Sequence, residues 1–173
     1  NDQAPEYPAL LVADNVLGGG IKSRLFGRIR QKEGISYGVG SGVSVPALDK
    51  TASLTLYAMF APQNLERLQN AIKEELSLFV KDGITATELA DAKQALAQTY
   101  ALRRAQDPAL AGALRSQLFL GRSMAFDAAL DAKIAALTLD QVNAAIRQFI
   151  KPESIAHYYA GDFVGAAKKA AAK

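Results

Sequence analysis

The stretch NVLGGGIKSRLFGRIRQKEGISYGVGSG, residues 15–42, carries the most informative pattern in this sequence of 173 residues. It opens with the end of an apolar run, which three glycines, Gly18–Gly20, close. A basic segment follows from Ser23 to Lys32, and its apolar residues recur at helical spacing. From Ile35 the period changes to two, as in a β-strand. We therefore predict a helix, a glycine turn, a second short helix and a strand, in that order.

Outside this stretch, predicted helices and strands are partly segregated along the chain. The apolar run upstream predicts a helix from Tyr7 to Leu17, with Gly18 placed to end it at the C′ position. The segment TASLTLYAMF predicts a strand that returns to form a hairpin with the first. Five further helices are predicted: from Pro62 to DGIT at 82–85, after Thr85 in a capping box with Glu88, from Asp107 to about Gly121, from Phe126 to Leu137, and after Thr138, capped with Gln141.

After Pro152, we predict a closing strand in the segment SIAHYYAGDF, residues 154–163. This order favours an α+β fold of two layers, with helices packed on one face of a mixed or antiparallel sheet. Three strands are few for so many helices, so we expect one or more first strands of the domain to precede Asn1. One domain is predicted over residues 1–165, followed by an Ala/Lys-rich tail over residues 166–173.

Composition narrows the possible functions. Half of the residues are hydrophobic, as in a folded globular chain, and the formal net charge of +3 is mild. The absence of cysteine excludes disulfides and thiolate metal sites. No apolar run approaches the roughly 18 residues that a membrane span requires. Composition fits a periplasmic or a cytoplasmic location, and we favour the periplasm.

The glycines and the basic residues raise two possible ligands, a nucleotide phosphate and a nucleic acid. A phosphate-binding loop places its glycines after a strand, whereas Gly18–Gly20 follow a predicted helix, and the Lys-Ser pair after them has the wrong spacing. A nucleic-acid site needs basic residues gathered on one face. On the predicted helix Arg24 and Arg28 share a side, but Arg30 lies on another flank. We therefore predict neither a nucleotide site nor a nucleic-acid partner.

A series of short motifs gives the chain a family resemblance. After the glycines come SRLF at 23–26, IR at 29–30, KEG at 32–34 and Tyr37. Three later segments follow in order: FAPQNL at 60–65, GITATEL at 83–89 and AGDF at 160–163. Together they resemble the second, non-metal-binding domain of the pitrilysin/insulinase family of zinc peptidases, which includes mitochondrial processing peptidase and bacterial zinc proteases. The likeness runs over nearly the whole chain.

The resemblance implies two homologous half-domains that close around an unfolded peptide. Zinc is held in the other half by an inverted H-x-x-E-H helix and a distant Glu. This chain has one His, His157, in the predicted closing strand, and Asp14 is the only acid of its matching first helix. We therefore expect no metal site and no catalytic residue in this chain alone, and zinc in the partner half. Without that motif the chain by itself is predicted to be inactive.

The resemblance also assigns a site to Arg30 and Tyr37, which match the R-x6-Y pair of the family. Tyr37 would donate a hydrogen bond to the scissile carbonyl as negative charge develops there, and Arg30 would hold peptide carbonyls or support the same oxyanion. From the residues alone, Tyr37 could instead be a core aromatic on the same strand face as Ile35 and Val39. Arg30 could instead be a cation that complements a helix end. The Gly18–Gly20 turn is expected to be structural.

The function predicted from the resemblance is that of the non-catalytic half of a zinc metallopeptidase. It would form one side of a chamber and support a reaction at a zinc site on another domain or chain. Its partners would be the homologous zinc-binding half, in the same precursor or a separate subunit, and an unfolded peptide. The alternative is an inactive scaffold or interaction subunit of the same fold. A basic nucleic-acid-binding module is the poorest of the three interpretations because the net charge is mild.

Overall fold

The computed structural model of the chain describes residues 1–166. In chain order its elements are α1 (Tyr7–Gly18), a π-helix (Phe26–Lys32), β1 (Ser36–Ser44), β2 (Ser53–Phe60), a 3₁₀ turn (Pro62–Asn64), α2 (Leu65–Asp82), α3 (Ala86–Arg104), α4 (Asp107–Phe119), α5 (Ala125–Ala136), α6 (Leu139–Phe149) and a second 3₁₀ turn (Pro152–Ser154). The predicted tail lies, apart from its first residue, outside the described residues.

Helix α1 lies at the centre of the hydrophobic core. It is apolar around most of its circumference, which is typical of a helix buried between other elements. Val12 and Leu17 are completely buried. The helix contacts strand β1 and also α3, α5 and α6, so it joins the sheet to the helical layer.

Strands β1 and β2 form a two-stranded antiparallel hairpin whose register runs from Ser36 opposite Phe60 to Ser44 opposite Ser53. The side chains of β2 alternate between the two faces, as a pleated strand requires. Leu54 and Leu56 pack against the core, while Tyr57 and Met59 on the other face are exposed. The predicted α+β fold, with helices on one face of an antiparallel sheet, is confirmed.

Both predicted capping boxes are present. The hydroxyl of Thr85 accepts from the backbone of Glu88, whose carboxylate accepts from the backbone of Thr85. Thr138 and Gln141 make the same reciprocal pair at the start of α6. Each box satisfies backbone N–H groups that the first turn of a helix leaves without partners.

The short basic helix differs from its prediction. After one α-helical turn the chain widens into a π-helix, in which the N–H of Glu33 donates to the carbonyl of Arg28 five residues earlier. Leu25 and Ile29 are still completely buried. The segment ends at Gly34, whose φ of 62° suits glycine.

The predicted closing strand is wrong. After the 3₁₀ turn at Pro152–Ser154 the chain is irregular up to Gly161, and no ladder joins it to β1 or β2 within residues 1–166. A strand forms only where a neighbour accepts and donates its backbone hydrogen bonds. Side chains hold this segment instead: the amide of Gln69 donates to the Tyr159 hydroxyl, and the rings of Phe60 and Phe163 lie 6.5 Å apart.

None of the helices in residues 1–166 is both long enough and apolar enough to cross a membrane.

Candidate functional site

A β-bulge directs Tyr37 away from the core. Ser36 pairs with Phe60 and Gly38 pairs with Met59, so Tyr37 is an extra residue without a partner on β2. The hydroxyl of Ser36, itself buried, lies 2.7 Å from the carbonyl oxygens of both Gly38 and Met59 and so bridges the bulge. As a result Tyr37 is 79% exposed.

This exposure bears on the interpretation of Tyr37 as a core aromatic. Strict alternation would have placed Tyr37 on one face with Ile35 and Val39, both of which are buried. The bulge breaks that alternation, so the interpretation of Tyr37 as a core aromatic is wrong.

Arg30 lies directly beside Tyr37. Its guanidinium carbon is 5.1 Å from the centroid of the Tyr37 ring and 5.4 Å from that of Phe26, and one guanidinium nitrogen donates to the backbone carbonyl of Tyr37. A flat guanidinium stacks on aromatic faces in this way, and each such contact contributes roughly 0.5–1 kcal/mol at an exposed site. The structure therefore brings the two predicted site residues together, both of them open to solvent.

The other arginines of the segment are neutralised by carboxylates. Arg24 makes a bidentate contact with Glu88, at 2.6 and 2.8 Å. Arg28 donates to Glu33 and to Glu74, each at 2.6 Å. Arg30, in contrast, forms no salt bridge with any acidic side chain of residues 1–166. Its charge is available to a carbonyl or carboxylate from outside the chain.

The glycine turn has a packing role at its first two residues. A Cβ on Gly18 would lie 2.2 Å from the backbone nitrogen of Ser41, and one on Gly19 would lie 2.6 Å from the Cα of Asn15. Gly18 is still the last residue of α1 and Gly19 is the C-cap, so the predicted place of Gly18 at C′ is wrong by two positions. It must be glycine because α1 approaches β1 closely. Gly20 is exposed, with no neighbour near its Cα.

The residues present do not fit a metal site. His157 is exposed, lies outside any strand and stacks on Tyr159 with ring centroids 6.2 Å apart. Asp14 accepts a 2.6 Å hydrogen bond from Ser41, and burial raises the pKa of its carboxyl. Nowhere in residues 1–166 do three His, Asp or Glu side chains group as metal ligands.

Two exposed residues of β2 were not among the predicted site residues. Tyr57 and Met59 face outward from β2 and are 57% and 60% exposed. The alternation in TASLTLYAMF could have indicated them, because it places Tyr57 and Met59 on the face of the strand opposite to the core residues Leu54 and Leu56.

Comparisons with known proteins agree with this fold and pattern. The model of a family described as the peptidase M16 inactive domain matches residues 1–96. An uncharacterized zinc protease of Bacillus subtilis is 31% identical over 140 residues, which cover 80% of this chain and 34% of the relative. One of Mycobacterium leprae is 33% identical over 143 residues, 82% of this chain and 32% of the relative.

Among solved structures, that of a peptidase M16 inactive domain from Pseudomonas fluorescens matches with a TM-score of 0.74 and 26% identity. The match covers 86% of this chain and 35% of the solved one. The chain thus spans about a third of the length of each of these three proteins. The resemblance seen in the sequence is confirmed: the chain belongs to the bacterial zinc-protease family of peptidase M16, as its inactive domain.

Proposed function

We propose that this chain forms one side of a peptide-enclosing chamber and supplies Arg30 and Tyr37 to a cleavage reaction at a zinc site on another domain or chain. The zinc-binding half, in the same precursor or a separate subunit, would be its partner and an unfolded peptide its substrate. The supporting observation is the exposed pair itself, in which Arg30 is held between two rings and bonded to the backbone of Tyr37.

The chemistry of the pair suits this role. A phenol can donate a hydrogen bond to a carbonyl oxygen as negative charge develops on it, and a well-placed donor is worth about 3 kcal/mol of barrier. The guanidinium has further N–H groups beyond the one used on the Tyr37 carbonyl, and it stays charged at any working pH. It can therefore hold a peptide carbonyl beside the phenol. The bulge holds Tyr37 and the aromatic rings hold the Arg30 guanidinium, so these side chains need to rearrange less when substrate binds.

The first test replaces the phenol by a phenyl ring. Tyr37→Phe, assayed with the zinc-binding half on an unfolded peptide, is expected to lower kcat about 100-fold, because a donor used in the transition state is lost. kcat/KM is expected to fall by the same factor, as for an interaction absent from the ground state.

A matched control is Tyr100→Phe. It deletes the same hydroxyl from α3, where Tyr100 lines a cavity between the helices, and should leave turnover unchanged. A decrease of less than about threefold in the Tyr37→Phe protein would refute the role of the phenol. The inactive-scaffold alternative would then be favoured, because a scaffold needs no hydrogen-bond donor at this position.

The periplasm remains the location that we favour for this protein. That preference rests on composition. Fractionation of cells that produce the natural protein would test it, with recovery in the cytoplasmic fraction as the contrary result.

A further inference from the structure

The outward face of the hairpin carries an apolar surface that the roles of Arg30 and Tyr37 do not explain. We call Tyr57 and Met59, with the glycines beneath them, the outward platform. A Cβ on Gly38 would lie 2.7 Å from the methyl carbon of Met59, and one on Gly40 would lie 2.7 Å from the hydroxyl of Tyr57. The two side chains therefore lie across the glycines opposite them and present a broad thioether and aromatic surface.

The edge strands of a sheet are often protected by charge, and those of this hairpin are not. Both strands of the two-stranded sheet are edges, and neither contains a charged residue. Natural proteins often place lysine or other charges on edge strands because the unpaired backbone groups there attract further chains. An apolar patch left open in this way usually marks a binding surface.

The position of the platform indicates what binds it. Met59 pairs with Gly38, the residue next to Tyr37, so the platform continues directly from the Arg30–Tyr37 pair. Successive residues on one face of a strand are about 7 Å apart, so Tyr57 lies one such step beyond Met59. A peptide extended along the hairpin would pass from the pair to the platform within one or two residues.

Charge complementarity further restricts the peptide. Arg30 stacks on Tyr37, the residue next to Gly38 of the platform, and has no carboxylate partner within residues 1–166. A cation next to an apolar surface favours an acidic neighbour over a basic one.

We propose that the outward platform is a subsite for a large apolar side chain, aromatic or aliphatic, of an extended peptide that carries an acidic rather than a basic residue on the Arg30 side. This inference rests on the proposed function for its place in catalysis. The subsite itself rests on the platform residues, which act on peptide selection and not on the reacting bond.

The chain provides its own reporter for binding. Its two methionines are Met59, on the platform, and Met124, which lines the cavity between the helices. The chain labelled with ¹³C in the methionine methyl groups is titrated with unstructured ten-residue peptides that contain a central Phe-Glu pair. The Met59 methyl signal is expected to shift and saturate, while that of Met124 stays in place.

Matched peptides and variants test each part of the subsite. Replacing the Phe of the peptide by Ser should weaken binding at least tenfold, and replacing its Glu by Lys should weaken it about threefold. Tyr57→Ser should abolish the preference for Phe over Ser, whereas Leu118→Ser, at an even more exposed apolar residue of α4, should not. Met59→Thr is a second platform variant. Its binding is measured by the tryptophan fluorescence of a Trp-containing peptide, and it is expected to be weaker than that of the wild-type chain.

Several results would overturn the proposal. They are an unmoved Met59 signal, equal shifts with the Phe and Ser peptides, or equal binding by the wild-type and Tyr57→Ser chains. Sedimentation that shows the chain self-associating through Tyr57 would assign the platform to a second copy instead. The two proposals are separable by cleavage assays with the zinc-binding half. Tyr37→Phe should lower turnover of all peptides alike, and Tyr57→Ser should change only their ratio.

Discussion

Asp14 illustrates how one half-buried group affects stability. Burial raises the pKa of its carboxyl, and hydrogen bonds from Ser41 and the backbone of Val43 offset this only in part. Because the folded-state pKa lies above the unfolded value, the folded chain binds the proton more tightly. Stability associated with this group is therefore present at low pH and is lost as pH rises through the raised pKa.

Asp14→Asn is accordingly expected to raise the melting temperature above that of the wild type at neutral pH. The amide oxygen can still accept from Ser41, and the buried charge is gone. The advantage should disappear near pH 3, where the wild-type carboxyl is protonated in both states. Melting curves followed by circular dichroism across this range would check it. An Asn variant that melts below the wild type at pH 8 would contradict this account.

At the scale of elements, the contact between α1 and β1 depends on Gly18. In a helix, Gly→Ala normally stabilises by about 0.5–1 kcal/mol. Here the added methyl would meet the backbone of Ser41, which cannot rotate away, so Gly18→Ala should instead lower the free energy of unfolding by about 1–3 kcal/mol. Gly20→Ala, with no neighbour near, is the matched control and should change it little. Urea denaturation of the two variants gives the comparison, and equal midpoints would disprove the close contact.

A second junction joins Arg24, just before the π-helix, to Glu88 of α3. Burial acts to raise the pKa of Glu88, but hydrogen bonds from Arg24 and Thr85 and the charge of Arg24 outweigh it, so the pKa is lowered overall. Because the pKa of Glu88 is lower in the folded chain than in the unfolded chain, its charge stabilises the fold at pH values above the unfolded-state pKa. This stability is lost as the pH falls through the folded-state pKa.

Glu88→Gln keeps a capping acceptor for Thr85 but removes the charge that Arg24 requires. It should lower the free energy of unfolding at pH 7 by roughly 1.5–3 kcal/mol, as for a hydrogen bond to a charged group. The deficit should shrink in acid, where the wild type loses the same interaction. Guanidinium titrations at pH 7 and pH 3 would show this, and a deficit that is the same at both pH values would argue against the charge pair.

Local patterns predicted most elements well and failed where tertiary context decides. The capping boxes at Thr85 and Thr138 and the stripe of Leu25 and Ile29 depend on residues a few positions apart, so the sequence contains their full signal. The closing strand depended on a partner strand that no local pattern reveals. The bulge at Tyr37 depends on where β2 pairs, so its exposure could not be read from the alternation alone.

The same limit applied to the candidate site. Arg30 and Tyr37 were predicted through a family pattern, and the structure adds their contact with each other. Tyr57 and Met59 were overlooked because alternation marks a face without saying whether anything covers it.

In the molecule as a whole, the residues that hold the fold together are different from the exposed pair Arg30 and Tyr37. The hydrophobic core around α1 holds the hairpin and the π-helix in place, and these two elements carry an exposed arginine and an exposed phenol. The chain spans about a third of the length of the Bacillus subtilis and Mycobacterium leprae relatives, and residues 1–166 contain no group of three possible metal ligands. In the function that we propose, the zinc site belongs to another domain or chain.

The most direct measurement is a crystal structure of this chain together with the zinc-binding half and a bound, uncleaved peptide. We expect the phenol oxygen of Tyr37 to lie about 2.7–3.1 Å from the carbonyl oxygen of the peptide bond at the zinc, with Arg30 on a neighbouring carbonyl. A peptide bound at the zinc with the Tyr37 phenol more than about 5 Å from every peptide carbonyl would contradict it.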